Sequence, residues 1–197
     1  MDKNTFWAII EKSIDPDKKI MISNLSKKIS DLSRKDVKLF RAYISGYVEM
    51  INESIWVCMA CRVINGYVSD DTVLYFTLWL ISKGENILLK TLYNPDSLSE
   101  LIEIPFRHAD FEEFLGFGYD EVEEDINEDE EEVNEMGINE KIIKRITKEI
   151  MPTILFKDGK KYGKYKSFEE GMKDIQNILP KLIKRAEMEE FDWKNYL

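Results

Sequence analysis

The chain has 197 residues, a net charge of −10, and a composition that is 44% hydrophobic and 12% aromatic. That length suffices for one substantial core with an appendage, and that apolar content excludes disorder of the whole chain. No run of about 18 apolar residues occurs, and the start MDKNTFWAIIEKS lacks the basic region and long apolar core of a signal peptide, so a soluble cytoplasmic protein is expected.

The charge is segregated. Residues 1–109 hold 14 basic and 14 acidic side chains, 110–140 hold 15 acidic and none basic, and 141–197 hold 14 basic and 9 acidic. A broad basic face for nucleic acid is therefore not expected, although the C-terminal third has the composition for a modest positive patch. The simplest reading sets the acidic middle near the basic end of its own chain.

In chain order, Asp2 or Asn4 can cap a first helix with an apolar face of Phe6, Trp7, Ile9, Ile10 and Ile14, ended by Asp15-Pro16-Asp17. A second helix is expected over 18–32. Ser33-Arg34-Lys35-Asp36 resembles a capping box and opens the longest periodic segment, whose apolar stripe from Val37 to Val63 predicts one central helix softened at Gly46. After the turn 65–68, Ser69 is placed as an N-cap with Asp70 and Asp71 at the positive end of the helix dipole. Val73, Phe76, Trp79 and Leu80 then recur at helical spacing, and Leu74, Leu78 and Ile81 widen the stripe, so this helix is expected to be buried on most sides. Lys83-Gly84 ends it, a short helix 85–92 follows, and Asn94-Pro95 starts a further turn.

Beyond Leu98 the pattern weakens. Pro105 marks a break and Asp110 a cap for a helix through Phe111, Phe114 and Leu115. Residues 120–135 contain 11 acids in 16 positions, and their mutual repulsion predicts a mobile loop over 120–138. Asn139 can cap a helix carrying Ile142, Ile143, Ile146 and Ile150. Asp158-Gly159, between two short β-compatible stretches, reads as a small β-hairpin near 153–166. Ser167 to Glu170 forms another capping box, opening a helix that Pro180 should kink or split. The expected fold is all-α in the main, a compact multi-helix bundle, with a core domain at 1–119, the acidic loop, and C-terminal helices over 139–197 packing on that core.

FW near the start, IWVCMACRVINGYVSDD, YFTLWLISKG and NPDSL together resemble the bacterial family designated domain of unknown function 4240, over about residues 1–125. Trp56, Gly66, Ser69, Asp70, Asp71, Phe76, Trp79, Gly84, Pro95 and Asp96 are among the matching positions. The resemblance implies an all-helical fold and, because some members are joined to domains of the WGR type, an accessory or regulatory role. The sequence departs from the pattern at Thr77 and Glu85, where the family tends to carry Arg, and at Leu88-Leu89, where it tends to carry Tyr-Glu. Any site that used those charges would be incomplete here.

Several residues invite a chemical reading. Asp70 and Asp71, with Asp96, are the carboxylates available for acid/base work, with Trp56, Asn65, Ser69 and Trp79 as accompanying binding candidates. Adjacent helix residues point about 100° apart, however, and capping with dipole stabilisation explains Asp70 and Asp71 more simply. Cys58 and Cys61 form a C-x-x-C inside a helical pattern, without the strand-to-helix setting of a redox motif or a second pair for zinc, and read as buried thiols. His108 and Glu112 have the spacing of two metal ligands without a third. The run from Asp125 imitates the start of an EF-hand loop but places Glu130 at the glycine position and Met136 at the final ligand. Neither a phosphate-cradling glycine motif nor a nucleophile elbow occurs. No cofactor or metal is expected. The leading expectation is a non-enzymatic interaction or regulatory module with a protein partner. The alternatives are an enzyme or small-ligand binder using the carboxylates around 65–98, and an acidic segment that mimics nucleic acid.

Overall fold

Polar side chains start the helices where the sequence places them. Asp2 accepts from Thr5 N at 2.8 Å, Asp17 from Lys19 N at 2.8 Å, Ser33 from Asp36 N at 3.2 Å, Ser69 from Thr72 N at 3.2 Å and Ser167 from Glu170 N at 3.3 Å. Each satisfies an amide that the first helical turn leaves unpaired. The computed structural model describes residues 1–52, 54–118 and 140–194. The helices are α1 (Lys3–Glu11), α2 (Lys18–Ser30), α3 (Arg34–Ile51), α4 (Ile55–Asn65), α5 (Asp70–Ser82), α6 (Glu85–Tyr93), α7 (Glu140–Ile150), α8 (Phe168–Met172), α9 (Ile175–Ile178) and α10 (Pro180–Met188). Short 3-10 turns lie at Pro95–Glu100, Glu112–Leu115, Met151–Thr153 and Lys157–Gly159, and no strand occurs among the described residues. The acidic loop expected at 120–138, the run from Asp125 and the Asn139 cap lie outside the described residues.

Aromatic side chains join α1 to α3. Phe6 is fully buried, stacks on Tyr43 and Tyr47 with ring centroids 5.2 and 5.8 Å apart, and meets Trp7 edge-on. Trp7 Nε1 donates to the Tyr47 hydroxyl at 2.8 Å, so the polar atom that burial would strand has a partner. α5 is buried along nearly its whole length from Thr72 to Ser82, with Phe76 stacked on Trp79. It ends at Lys83, and Gly84 follows at φ 93°, a conformation that favours glycine, with its amide on Ile81 O.

The periodic segment from Val37 to Val63 is two helices rather than one. α3 stops at Ile51, and α4 restarts at Ile55 with Ser54 as its N-cap. The apolar stripe continues across the break because both helices bury residues in the same core. Gly46 lies within α3 and faces α7, where a Cβ would stand 3.0 Å from Ile146 Cγ2. The absent side chain lets α3 and α7 approach closely.

The small hairpin expected near 153–166 is not formed. Asp158 and Gly159 do turn, at φ 58° and 70°, but the carbonyls that a partner strand would use are taken by α4. Lys161 O accepts from Ile55 N at 3.2 Å and Ser54 Oγ at 3.1 Å, and Lys160 O accepts from Trp56 Nε1 at 2.8 Å. The segment is a cap for α4, whose own N-cap residue makes no side-chain cap bond. Gly163 presses on Trp56, where a Cβ would come 2.5 Å from Cζ2. Likewise, the helix expected from Asp110 is only the 3-10 turn Glu112–Leu115, and Asp110 accepts from Lys18 at 2.7 Å instead of capping it. Pro180 splits the C-terminal helix, as expected, and opens α10 at its first position.

Candidate functional site

The candidates read from the sequence fall into separate settings. Asp70 and Asp71 occupy the exposed first turn of α5, beside the Ser69 cap. Asp96 is buried, only 7% exposed, and its carboxylate accepts from Lys181 N at 3.0 Å and Leu182 N at 2.8 Å. It caps α10 from 85 residues away in sequence, so its lone pairs are committed to backbone amides. Asn65 makes a reciprocal pair with Ala109, donating to its carbonyl at 3.1 Å and accepting from its amide at 3.0 Å. Trp56 and Trp79 are both buried, Trp56 bonded to Lys160 O and Trp79 stacked on Phe76 with Lys83 Nζ 5.2 Å from its ring centroid. Burial shifts the Lys83 ammonium below its ordinary range.

The positions that depart from the family pattern are also placed. Thr77 is fully buried with its hydroxyl 3.4 Å from Asn52 Oδ1, and Leu88 is fully buried. Glu85 accepts from Lys3 at 3.0 Å. Cys58 and Cys61 stand on α4 and form no disulfide; Cys61 is buried, and burial first of all keeps its thiol protonated well above the ordinary range. His108 is exposed, and Glu112 accepts from the Tyr75 hydroxyl at 3.2 Å. Among the described residues no three His, Cys, Asp or Glu side chains come together as a metal-binding group.

A different place gathers charge. The start of α3 and the outer face of α7 form the walls of an open cleft of about 650 Å³, edged by Met1 and Asp2. Arg34, Lys35 and Lys38 line it from α3, and Arg145 lines it from α7. Leu39 and Ile142 supply apolar lining. Tyr43 contributes its hydroxyl, which lies 2.9 and 3.0 Å from the two carboxylate oxygens of Glu149 and donates to that carboxylate. Burial, and then Glu149, hold the Tyr43 phenol well above its ordinary pKa. At the edge, the Met1 ammonium is 2.6 Å from Asp36 Oδ1 and, with the Ser33 hydroxyl, holds that carboxyl below its ordinary range. Four cationic side chains thus line the cleft together with two carboxylates, Asp2 and Glu149.

The capping box Ser33-Arg34-Lys35-Asp36 marks the start of α3 as a helix end, and no motif marks either wall as a binding site. The signal was present as Arg34 with Lys38 and Lys141 with Arg145, pairs four residues apart that share a helix face, but nothing local says that α3 and α7 stand side by side. A second hollow of about 440 Å³, lined by Ile55, Cys58, Tyr162, Tyr165 and Phe168 with Lys166 and Ser167, is mainly aromatic and apolar.

What these features define is an all-helical protein with structural motif residues and a cation-lined cleft between two helices. The model of the family described as "Protein of unknown function (DUF4240)" matches residues 1–124, and the chain belongs to that family. The match takes in α1 to α6, including the α3 wall of the cleft, while Arg145 and Glu149 on α7 lie beyond it. No curated protein and no solved structure matches the chain. No helix among the described residues is long and apolar enough to cross a membrane.

Proposed function

We propose that the chain is a non-enzymatic interaction module of the cytoplasm that receives an acidic segment of a protein partner in the cleft between α3 and α7. One observation carries this reading: Arg34, Lys35, Lys38 and Arg145 converge from helices a hundred residues apart on a single open hollow. Clustered cationic side chains in a concave, partly apolar setting favour acidic partners and speed their encounter. The competing reading, an enzyme using carboxylates of 65–98, is left with Asp70 and Asp71, because Asp96 is engaged by the amides of α10.

The test is affinity capture from the source cell with three baits: wild type, Arg34→Glu/Arg145→Glu, and Asp70→Asn/Asp71→Asn. Partners held by the wild type and by the aspartate variant but lost by the charge reversal are expected. Equal capture by the charge reversal would remove the cleft from the account, and selective loss with Asp70→Asn/Asp71→Asn would favour the carboxylate site.

A further inference from the structure

Independently of the cleft, we infer that the second hollow, between α4 and the segment that caps it, binds a small aromatic carboxylate. Ile55 and Cys58 line it from α4, and Tyr162, Tyr165 and Phe168 line it from the C-terminal part of the chain, around a volume of about 440 Å³. That volume lies in the range of small-molecule pockets, and a largely apolar, aromatic lining is typical of them. The lining is fixed before any ligand arrives. Lys161 O accepts from Ile55 N and from Ser54 Oγ, Lys160 O accepts from Trp56 Nε1, and Gly163 presses on Trp56. Tyr165 meets Trp56 edge-on with ring centroids 6.1 Å apart and donates its hydroxyl to Asp174 at 3.1 Å. Gly171 of α8 comes so near α4 that a Cβ would stand 2.6 Å from Ile55 Cδ1. A pocket held in this way loses little ordering entropy when a ligand enters.

Charge narrows the ligand. Lys166 is the one charged side chain lining the hollow among the described residues; it is exposed, and its ammonium forms no ion pair with them. Glu170 accepts from the Lys166 amide at 2.7 Å and does not line the hollow. Lys164 is paired with Asp174 at 3.3 Å, and Lys161 Nζ donates to Glu49 O at 3.4 Å. The same two ammoniums stand 5.3 Å from the ring centroid of Tyr165 and 5.8 Å from that of Tyr162, so both rings already hold a cation. A cationic ligand would meet like charge there. A single carboxylate matches Lys166, whereas a phosphate ester or a nucleotide brings more negative charge than one ammonium meets. The body that carries the carboxylate is aromatic, because three rings and the Cys58 sulfur offer a flat ring edge and face contacts beyond the area it buries. Ile55 and Cys58 fall inside the family match and residues 162–168 lie beyond it, so the selectivity resides in the part of the chain outside the match.

Amide-detected NMR titration of the full chain tests this with 2-naphthoate, its neutral isostere 2-naphthamide, and octanoate. Saturable shifts from 2-naphthoate are expected at 55–58 and 162–168, with an affinity about fivefold above that of 2-naphthamide and of octanoate. Lys166→Gln should remove the advantage over the amide and leave the amide's own affinity unchanged, while Tyr162→Ala should weaken both naphthyl probes. Both side chains are exposed, so each variant should keep the rest of its spectrum. 2-Naphthamide binding as tightly as 2-naphthoate, or an advantage that survives Lys166→Gln, would overturn the pairing of a carboxylate with Lys166. Octanoate binding as tightly as 2-naphthoate would overturn the aromatic class. No saturable shift at these residues from any probe would overturn the site and leave the cleft reading untouched.

Discussion

Asp96, a buried carboxylate among the sequence's site candidates, is a helix cap. Its oxygens hold Lys181 N and Leu182 N, and those amides have no alternative acceptor within their own helix because they stand at its start. Asp96→Ala should therefore cost about 2 kcal/mol, from the lost cap and two amides left unsatisfied where water is excluded. A shift in the urea midpoint with unchanged slope would report it. Ser69→Ala removes an ordinary local cap and should cost about 1 kcal/mol; a change near zero would take Ser69 out of that role. The contrast explains what was legible. Ser69, Ser33, Asp2 and Ser167 bond amides three residues on, so spacing alone finds them. Asp96 bonds amides 85 residues on, and Trp56 a carbonyl 104 residues on, and no local pattern carries those partners.

Among elements, periodicity located the helices and misjudged their joints. The stripe from Val37 to Val63 hides the break at 52–54 because α3 and α4 bury into one core, and a stripe reports burial rather than continuity. Asp158-Gly159 signals a turn, and a turn is present, but hairpin formation needs two segments free to pair, and the carbonyls of 160 and 161 serve α4. The contact of α3 with α7 was illegible for another reason: it depends on the shape at Gly46, where α7 presents Ile146. Gly46→Leu should cost about 1–3 kcal/mol by overpacking this contact, whatever helix propensity it gains. Combining it with Ile146→Ala should recover part of the loss. Additive destabilisation in the double variant would show that the two positions do not share the contact.

Over the whole molecule, the cleft draws on two parts of the chain: the evenly balanced N-terminal part contributes the cations of α3 and the basic C-terminal part contributes Arg145. The fold also fixes a pH response. Burial keeps Cys61, Tyr43 and Tyr47 in their neutral forms far above the range where the unfolded chain ionises. The unfolded state releases those protons from about pH 8.5 for the thiol and about pH 10 for the phenols, while the folded state retains them. Their contribution is complete below that range and is lost progressively as pH rises through it. Lys83, whose ammonium is disfavoured by burial, works in the opposite sense, but it is one group against three. Urea midpoints should be level near neutrality and fall above about pH 9, with Cys61→Ala flattening the first part of the fall. A midpoint that rises over that range would show that the buried neutral groups do not govern alkaline stability.

The account as a whole holds that the motif carboxylates serve the fold or its surface, while the arginines lining the cleft between α3 and α7 bind. Calorimetric titration of the full chain with hexaglutamate, at low and at physiological salt, tests that division directly. Binding is expected in the wild type and in Asp70→Asn/Asp71→Asn, at least about tenfold weaker in Arg34→Gln/Arg145→Gln, and weaker in every case as salt rises. Undiminished affinity in Arg34→Gln/Arg145→Gln would contradict it.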